Sequence, residues 1–206
     1  MRIPCLLLGL ALLHGGAAPA SASRPAAPMS DRPGSSAVIE DRDLALHVQF
    51  DFAAATRVLR VRYALDNRGP AAVAAFDRGD TLALARHALE AGAVAAPLRE
   101  ARGDALTLGH RALPLPRPAP TVPRQPLAAR VEAGARLEGA FSTDVDPGIA
   151  RVRHCLGVAA FDPALFSMPQ RTAGVEIWRA SFDAAGRQRL LCTPWFDLAR
   201  GAFDAR

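Results

Sequence analysis

Large apolar residues occupy every second position along two neighbouring stretches of the chain, 44–52 and 59–65. The apolar members are Leu44, Leu46, Val48, Phe50 and Phe52 in the first stretch, and Leu59, Val61, Tyr63 and Leu65 in the second. A period of two residues places such a set on one face of a strand, so each stretch predicts a half-buried β-strand. Asn67, Gly69 and Pro70 then predict a turn. The short apolar run 71–76 predicts a return strand that completes a strand–turn–strand unit.

Turn-forming residues divide the rest of the chain into further short apolar segments. The expected strands are 81–89, 93–98, 104–113, 127–131, 136–142, 150–161, 174–182 and 187–196. The sequence Arg-Gly-Asp at 102–104 predicts a hairpin turn, and residues 183–186 predict another turn that pairs the last two strands. Segment 81–89 also fits one face of a helix, but its position after a turn in a strand-rich chain favours a strand.

Prolines and turns define the expected domain organisation. Six prolines lie within 113–126, and because proline lacks the N–H that a strand ladder needs, this segment predicts an extended connector. Short strands with regularly spaced turns predict an all-β fold, an antiparallel β-sandwich, as one domain over 38–206. The polar, proline-rich segment 23–37 has no periodicity and predicts a disordered lead-in.

Two stretches resemble immunoglobulin-like domains of exported bacterial proteins. Residues 61–69, Val-Arg-Tyr-Ala-Leu-Asp-Asn-Arg-Gly, resemble a hairpin of these domains, and Val73 and Phe76 on the return strand extend the likeness. Residues 131–139 resemble their strand–glycine–strand step. The resemblance implies an immunoglobulin-like sandwich that serves as a scaffold, and it implies no particular activity.

The N-terminus predicts export. Arg2 is followed by an apolar run at 5–13 and by the small residues Ala20-Ser21-Ala22, the three parts of a secretory signal peptide over 1–22. The apolar run has nine residues, whereas a membrane-spanning helix needs about 20. We therefore expect cleavage after Ala22, with Ala18-Pro19-Ala20 as an alternative site two residues earlier. We also expect no integral membrane segment in the mature chain and a periplasmic or secreted location.

The cysteines support the same compartment. Cleavage would remove Cys5 and leave Cys155 and Cys192. An even pair in an exported chain predicts a disulfide bond. A metal or redox pair is the alternative, but the two residues do not form a Cys-x-x-Cys motif.

The charge pattern narrows the range of partners. The chain has no lysine, so arginine supplies all 25 basic residues, and the formal net charge is +5. The arginines are scattered among acids, with no basic run and few aromatic residues, which argues against nucleic-acid binding. Without lysine, Schiff-base and lysine-base catalysis are excluded.

No motif identifies a catalytic or metal site. His47, His87, His110 and His154 lack the spacing of metal ligands, although the fold could still assemble a site, for example from His154 and His47. No nucleophile-elbow motif occurs. We expect a non-catalytic exported sandwich with a binding, inhibitory or envelope-structural role, an unidentified protein or envelope partner, and no cofactor. The alternatives are an exported hydrolase with a fold-assembled site and a histidine-based metal-binding protein.

Overall fold

The computed structural model describes residues 34–205, and β-strands dominate this part of the chain. The strands are β1 (Ser36–Asp41), β2 (Leu44–Ala53), β3 (Val58–Asn67), β4 (Val73–Ala75), β5 (Leu98–Arg102), β6 (Ala105–His110), β7 (Leu127–Val131), β8 (Arg136–Asp144), β9 (Arg151–Ala160), β10 (Phe166–Thr172), β11 (Val175–Ala180), β12 (Arg189–Cys192), β13 (Phe196–Asp197) and β14 (Ala202–Phe203). The helices are α1 (Thr81–Ala85), α2 (Phe182–Gly186) and a 3-10 turn at Pro163–Leu165.

The first sheet contains the two stretches with large apolar residues at every second position. Its strand order is β1-β2-β3-β8, and every pairing is antiparallel. The register of β2 against β3 runs without interruption from the pair Leu44–Asn67 to the pair Ala53–Val58. The apolar members of both strands face inward, as their period of two predicted.

The second sheet is built around β9. One edge of β9 pairs with β4 and β6, and the other edge pairs with β12 and β13. From β4 the sheet continues through β7 and β11 to β10. The β5–β6 hairpin turns at Gly103, as predicted, but the strand before the turn is Leu98–Arg102. The expected strand at 93–98 is wrong, because 93–97 belongs to a loop. Because β6 runs parallel to β9, this sheet is mixed, whereas the sequence predicted only antiparallel pairs.

Two apolar clusters fill the structure. The larger cluster draws on both sheets, with Phe50 and Leu59 from the first and Leu108 and Leu156 from the second. A smaller, alanine-rich cluster around Phe166 lies where α2 packs against β11. The prediction of an all-β protein with two packed sheets is therefore confirmed.

The turn after β3 joins the two sheets. The predicted strand–turn–strand unit is wrong as a hairpin, because β3 belongs to the first sheet while β4 pairs with β7 and β9 in the second. Asn67 fixes this crossing from a buried position: its Nδ2 donates to Ala71 O at 2.8 Å and to Val131 O at 3.1 Å, and its Oδ1 accepts from Gly69 N at 3.1 Å. These local and non-local bonds hold the chain as it leaves β3.

Two segments predicted as strand or hairpin are helical. Segment 81–89 begins with α1, because the Asp80 side chain accepts a hydrogen bond from Ala83 N and caps the helix. At 183–186 the predicted hairpin turn is replaced by α2, which the Ser181 hydroxyl caps in the same way. As a result, β11 pairs with β7 and β10, while β12 pairs with β9.

Two features bear on location. The predicted signal peptide at 1–22 lies outside the described residues, as does most of the predicted lead-in at 23–37. Among residues 34–205, no helix has the length and apolar character of a membrane-spanning segment.

The proline-rich segment contains no strand over residues 113–125. At its end, Pro126 forms an isolated bridge with Asp80 beside α1.

Candidate functional site

Five of the buried polar side chains lie together in the interior, and we call these five the buried polar network. They are Tyr63 of β3, Asp77 and Arg78 after β4, His110 at the end of β6, and His154 of β9. None is more than 4% exposed. Buried polar groups destabilise a fold unless they form hydrogen bonds or ion pairs. The partners of these five side chains therefore show which parts of the fold the network connects.

Tyr63, Asp77 and Arg78 form the first half of the network. The Tyr63 hydroxyl donates to Asp77 Oδ2 at 2.6 Å. Asp77 Oδ1 lies 3.2 Å from Arg78 Nε as an ion pair, although the geometry is not that of a hydrogen bond. Burial raises the pKa of Tyr63 well above its ordinary value, and the charge of Asp77 raises it further. Tyr63 is therefore a neutral donor at physiological pH.

His110 and His154 form the second half, and their tautomers follow from their partners. His110 Nε2 lies 2.8 Å from Ala95 O, and because a carbonyl oxygen only accepts, this nitrogen carries the hydrogen. His110 Nδ1 must then accept from His154 Nε2, which lies 3.1 Å away. His154 Nδ1 is left as a buried acceptor without a partner among the described residues.

Both histidines are neutral at physiological pH. Burial lowers the pKa of His110, and the hydrogen bond to Ala95 offsets part of that effect. Burial also lowers the pKa of His154 well below its ordinary value, and the nearby His110 adds to the shift. The rings of Tyr63 and Phe141 lie 5.3 and 5.4 Å from that of His154 and help to exclude water. Because both ring nitrogens of His110 are hydrogen-bonded and His154 is fully buried, the geometry favours a positioning role over proton transfer to a substrate.

The network fastens the loop at 86–97, which connects α1 to β5. Arg78 Nη1 donates to Gly92 O at 2.9 Å, and His110 Nε2 donates to Ala95 O. Asp77 O in turn accepts from Ala95 N at 2.9 Å. Most of the loop has no regular secondary structure, so these bonds from buried residues fix its path. The loop forms part of the wall of two cavities, one on each side of α1.

The first cavity, which we call the groove, has a volume of ≈ 880 Å³. Its walls are mostly apolar and come from α1, the loop 86–97 and the proline-rich segment 113–126. The large apolar side chains among them are Phe76, Leu82, Leu89, Leu98, Leu113, Val122 and Phe182. Val122 is 82% exposed and Leu113 is 49% exposed. Pockets of this size and composition are typical of small-molecule sites.

The charges that border the groove are mainly positive. Arg86, Arg111 and Arg124 line it. Arg111 is paired with Glu100, whereas no acidic side chain among residues 34–205 forms an ion pair with Arg86 or Arg124. Asp80 also lies at the groove, but its carboxylate is occupied in capping α1. The groove therefore combines an apolar surface with two unpaired cations.

The second cavity, which we call the side pocket, has a volume of ≈ 300 Å³. It lies between α1 and the β10–β11 pair, and Arg78, Thr81, Gln170 and Arg179 contribute its polar lining. Arg78 thus connects the buried polar network to this pocket, since its guanidinium contacts Asp77 on one side and Gly92 of the pocket wall on the other.

The two cysteines meet as the sequence predicted. Cys155 of β9 and Cys192 of β12 are directly opposite in the ladder, and they form a disulfide with Cα atoms 4.0 Å apart. The bond fastens β12 to β9.

The other residues considered from the sequence lie apart. His47 faces the outer side of the first sheet, where its Nε2 lies 3.1 Å from Asp66 Oδ2, so the suggested grouping of His154 with His47 is wrong. His154 meets His110 instead. His87 is exposed after α1. No group of three His, Cys, Asp or Glu side chains suited to a metal ion occurs within the described range.

Sequence reasoning missed the buried polar network. Its members are far apart along the chain, and only the parallel pairing of β6 with β9 brings His110 beside His154. One local signal was present: Asp77 and Arg78 follow directly on the apolar run 71–76, where a charged pair is easily mistaken for the start of an exposed turn.

Comparison with known proteins adds no relative. No family model, curated protein or solved structure matches the chain.

Proposed function

We propose that this is an exported, non-catalytic binding protein whose groove takes an elongated apolar molecule with an acidic group. The observation that carries the proposal is the groove itself, ≈ 880 Å³ in volume, apolar along its walls and bordered by Arg86 and Arg124. An apolar body would cover Leu113 and Val122, which are otherwise exposed to water. The acidic group would complement the two unpaired guanidinium groups.

The proposal requires that the protein is exported from the cytoplasm, and two observations support export. The N-terminal sequence has the three parts of a signal peptide. The Cys155–Cys192 disulfide is typical of oxidising compartments such as the periplasm or the extracellular space. The two-sheet sandwich is also the architecture of immunoglobulin-like scaffolds, and we propose that relationship on the basis of the two packed sheets and the resemblance at 131–139.

A non-catalytic role is supported by the state of the histidines. His110 and His154 are no more than 3% exposed and hydrogen-bond to each other. A general base needs a free ring nitrogen that reaches the proton it removes from a substrate. His110 is part of the groove lining, but its Nε2 donates to Ala95 O and its Nδ1 accepts from His154, so neither nitrogen is free for a ligand.

Binding can be measured with cis-parinaric acid, a fluorescent fatty acid, titrated into the purified full chain. We expect saturable binding, and we expect Leu113→Gln to weaken it about fivefold, because roughly half of a leucine side chain would be covered by the ligand. Leu190→Gln is the matched control, since Leu190 is 46% exposed and lies on β12 away from the groove.

The acidic group has its own test. Arg124→Gln should weaken binding of cis-parinaric acid about tenfold and leave binding of its methyl ester unchanged. Absence of saturable binding, or equal effects of the Leu113 and Leu190 variants, would contradict the groove as the binding site. Equal binding of acid and ester would contradict the role of the arginines.

A further inference from the structure

The side pocket is separate from the groove and has a different character. It lies on the opposite side of α1: Thr81, Leu84 and Ala85 face the side pocket, whereas Leu82, Ala83 and Arg86 line the groove. Its volume of ≈ 300 Å³ is that of roughly ten water molecules in the liquid. It is therefore suited to a small molecule rather than to the elongated ligand proposed for the groove.

A buried arginine forms part of its wall. The Arg78 side chain is only 4% exposed, and a buried guanidinium is costly unless its environment compensates it. Asp77 neutralises the charge on the Nε side, and Gly92 O accepts from Nη1. The guanidinium is thereby held in one orientation beside the pocket, so its remaining N–H groups can bind a ligand without a further cost in side-chain entropy.

The remaining polar groups of the pocket are donors without an acid beside them. Arg179 is half-buried and forms no ion pair with any acid among the described residues. Thr81 Oγ1 accepts from Gln125 N at 3.2 Å, which leaves its hydroxyl hydrogen available to donate. The amide of Gln170 completes the set. Since Asp77 neutralises Arg78, the pocket has a net charge of one positive unit, from Arg179.

The pocket also has an apolar lining, which includes an unusual backbone conformation. Leu84, Leu127, Met168 and Ile177 supply this lining. The β10–β11 ladder is interrupted between Ser167 and Gln170, and Met168 adopts a left-handed backbone with φ of 52°. Such bulges redirect side chains next to functional sites. Here the bulge brings Met168, which is 54% exposed, to the pocket.

We propose that the side pocket is a binding site for a small monocarboxylate with an apolar body, distinct from the site in the groove. The carboxylate contacts Arg78 and Arg179, with Thr81 and Gln170 as neutral donors, and the apolar body packs on Leu84, Ile177 and Met168. A single net positive charge and an apolar wall favour a monoanion over a phosphate dianion.

Calorimetric titration of the full chain with hexanoate and with hexanamide tests the site, because the two probes differ in charge but hardly in shape. We expect hexanoate to bind at least about tenfold more tightly than hexanamide. Arg179→Gln should lower the affinity for hexanoate about tenfold and leave that for hexanamide unchanged. Arg179 is half-buried and unpaired, so this variant should fold.

Two controls make the result specific. Arg187→Gln removes an exposed arginine outside the pocket and should leave hexanoate binding unchanged. Leu113→Gln alters the groove and should also leave it unchanged, which separates this site from the proposed function. Three results would each overturn the proposal: no binding of hexanoate in the millimolar range, equal binding of the amide, or full affinity in Arg179→Gln.

Discussion

The ring of Tyr63 lies across the position that a side chain would occupy at Gly139. The two residues are directly opposite in the β3–β8 ladder, and a Cβ built on Gly139 would lie 2.2 Å from both Cζ and the hydroxyl oxygen of Tyr63. The absence of a side chain at 139 therefore lets the tyrosine reach Asp77, 2.6 Å from its hydroxyl. A glycine on an edge strand of the first sheet thus supports the buried polar network.

Gly139→Ala should destabilise the fold by about 3 kcal/mol, because the added methyl group must displace a buried ring and break its hydrogen bond to a carboxylate. Urea denaturation measures the change. Gly186→Ala is the matched control, since a Cβ at 186 meets nothing within 4 Å, and its effect should stay within about 1 kcal/mol. Similar effects of the two substitutions would show that Tyr63 is not held against Gly139.

Tyr63 should resist ionisation until well above its ordinary pKa of about 10. It is the only tyrosine in the chain, so the near-ultraviolet absorbance of phenolate reports on it alone. Burial is the main cause of the raised pKa and Asp77 adds to it, so Asp77→Asn should lower the pKa of Tyr63 without restoring the ordinary value.

The same shift predicts how stability depends on alkaline pH. Because the pKa of Tyr63 is higher in the folded than in the unfolded state, its contribution is complete below about pH 10 and is lost as the pH rises beyond that value. Protein unfolded in denaturant should titrate near pH 10. A native protein that titrates there as well would contradict the burial and pairing of Tyr63.

The histidine pair predicts loss of stability in mild acid. Burial lowers the pKa of His154 and of His110, whereas an unfolded histidine titrates near pH 6.5. The unfolded state therefore binds protons first as the pH falls below about 6.5, and stability should decline by up to about 1.4 kcal/mol per pH unit for each residue. Denaturation between pH 7 and pH 5 measures this slope.

His154→Gln should flatten that slope, because it removes one titrating group while the amide can still donate to His110. The readout is the slope rather than the absolute stability, so a general loss of stability in the variant does not affect the test. His87→Asn is the control: His87 is exposed with φ of 53°, a conformation that asparagine tolerates. An unchanged slope in His154→Gln would contradict the role of the pair.

The disulfide should contribute about 4 kcal/mol, since it closes a loop with a sequence separation of 37 residues. The double substitution of Cys155 and Cys192 by alanine should lower the free energy of unfolding by about that amount, as measured in urea. Reductant should destabilise the native protein and leave the double variant unaffected. Peptide mapping without reductant that finds both thiols free in protein from an oxidising compartment would disprove the pairing.

Export predicts a defined mature N-terminus. When the full sequence is expressed in a bacterial host, the periplasmic or secreted protein should begin at Ser23, because Ala20-Ser21-Ala22 matches a signal-peptidase site. Intact mass spectrometry decides the matter. An exported protein whose mass still includes Met1 would show that the N-terminal segment is not removed.

The sequence by itself determined the all-β class of the fold and the buried faces of β2 and β3. In β2 and β3 every second residue is apolar, and this period alone fixes the inward face, whatever the strand later pairs with. The prolines of 113–126 excluded a strand there, because proline lacks the backbone N–H that a strand ladder needs. The Cys155–Cys192 pairing also followed from the sequence, because removal of Cys5 with the signal peptide would leave two cysteines.

Only the tertiary structure decided how those strands pair and what lies between them. The two-residue period of apolar side chains does not determine which sheet a strand joins. The crossing between the sheets at Asn67 and the parallel pairing of β6 with β9 were therefore not predictable. Segment 81–89 fitted both helix and strand, and the Asp80 cap together with the hydrogen bonds between Thr81 and Gln125 fixes the helix. Tyr63, Asp77, His110 and His154 meet across different elements, and a contact between residues distant in sequence depends on the complete fold rather than on any local pattern.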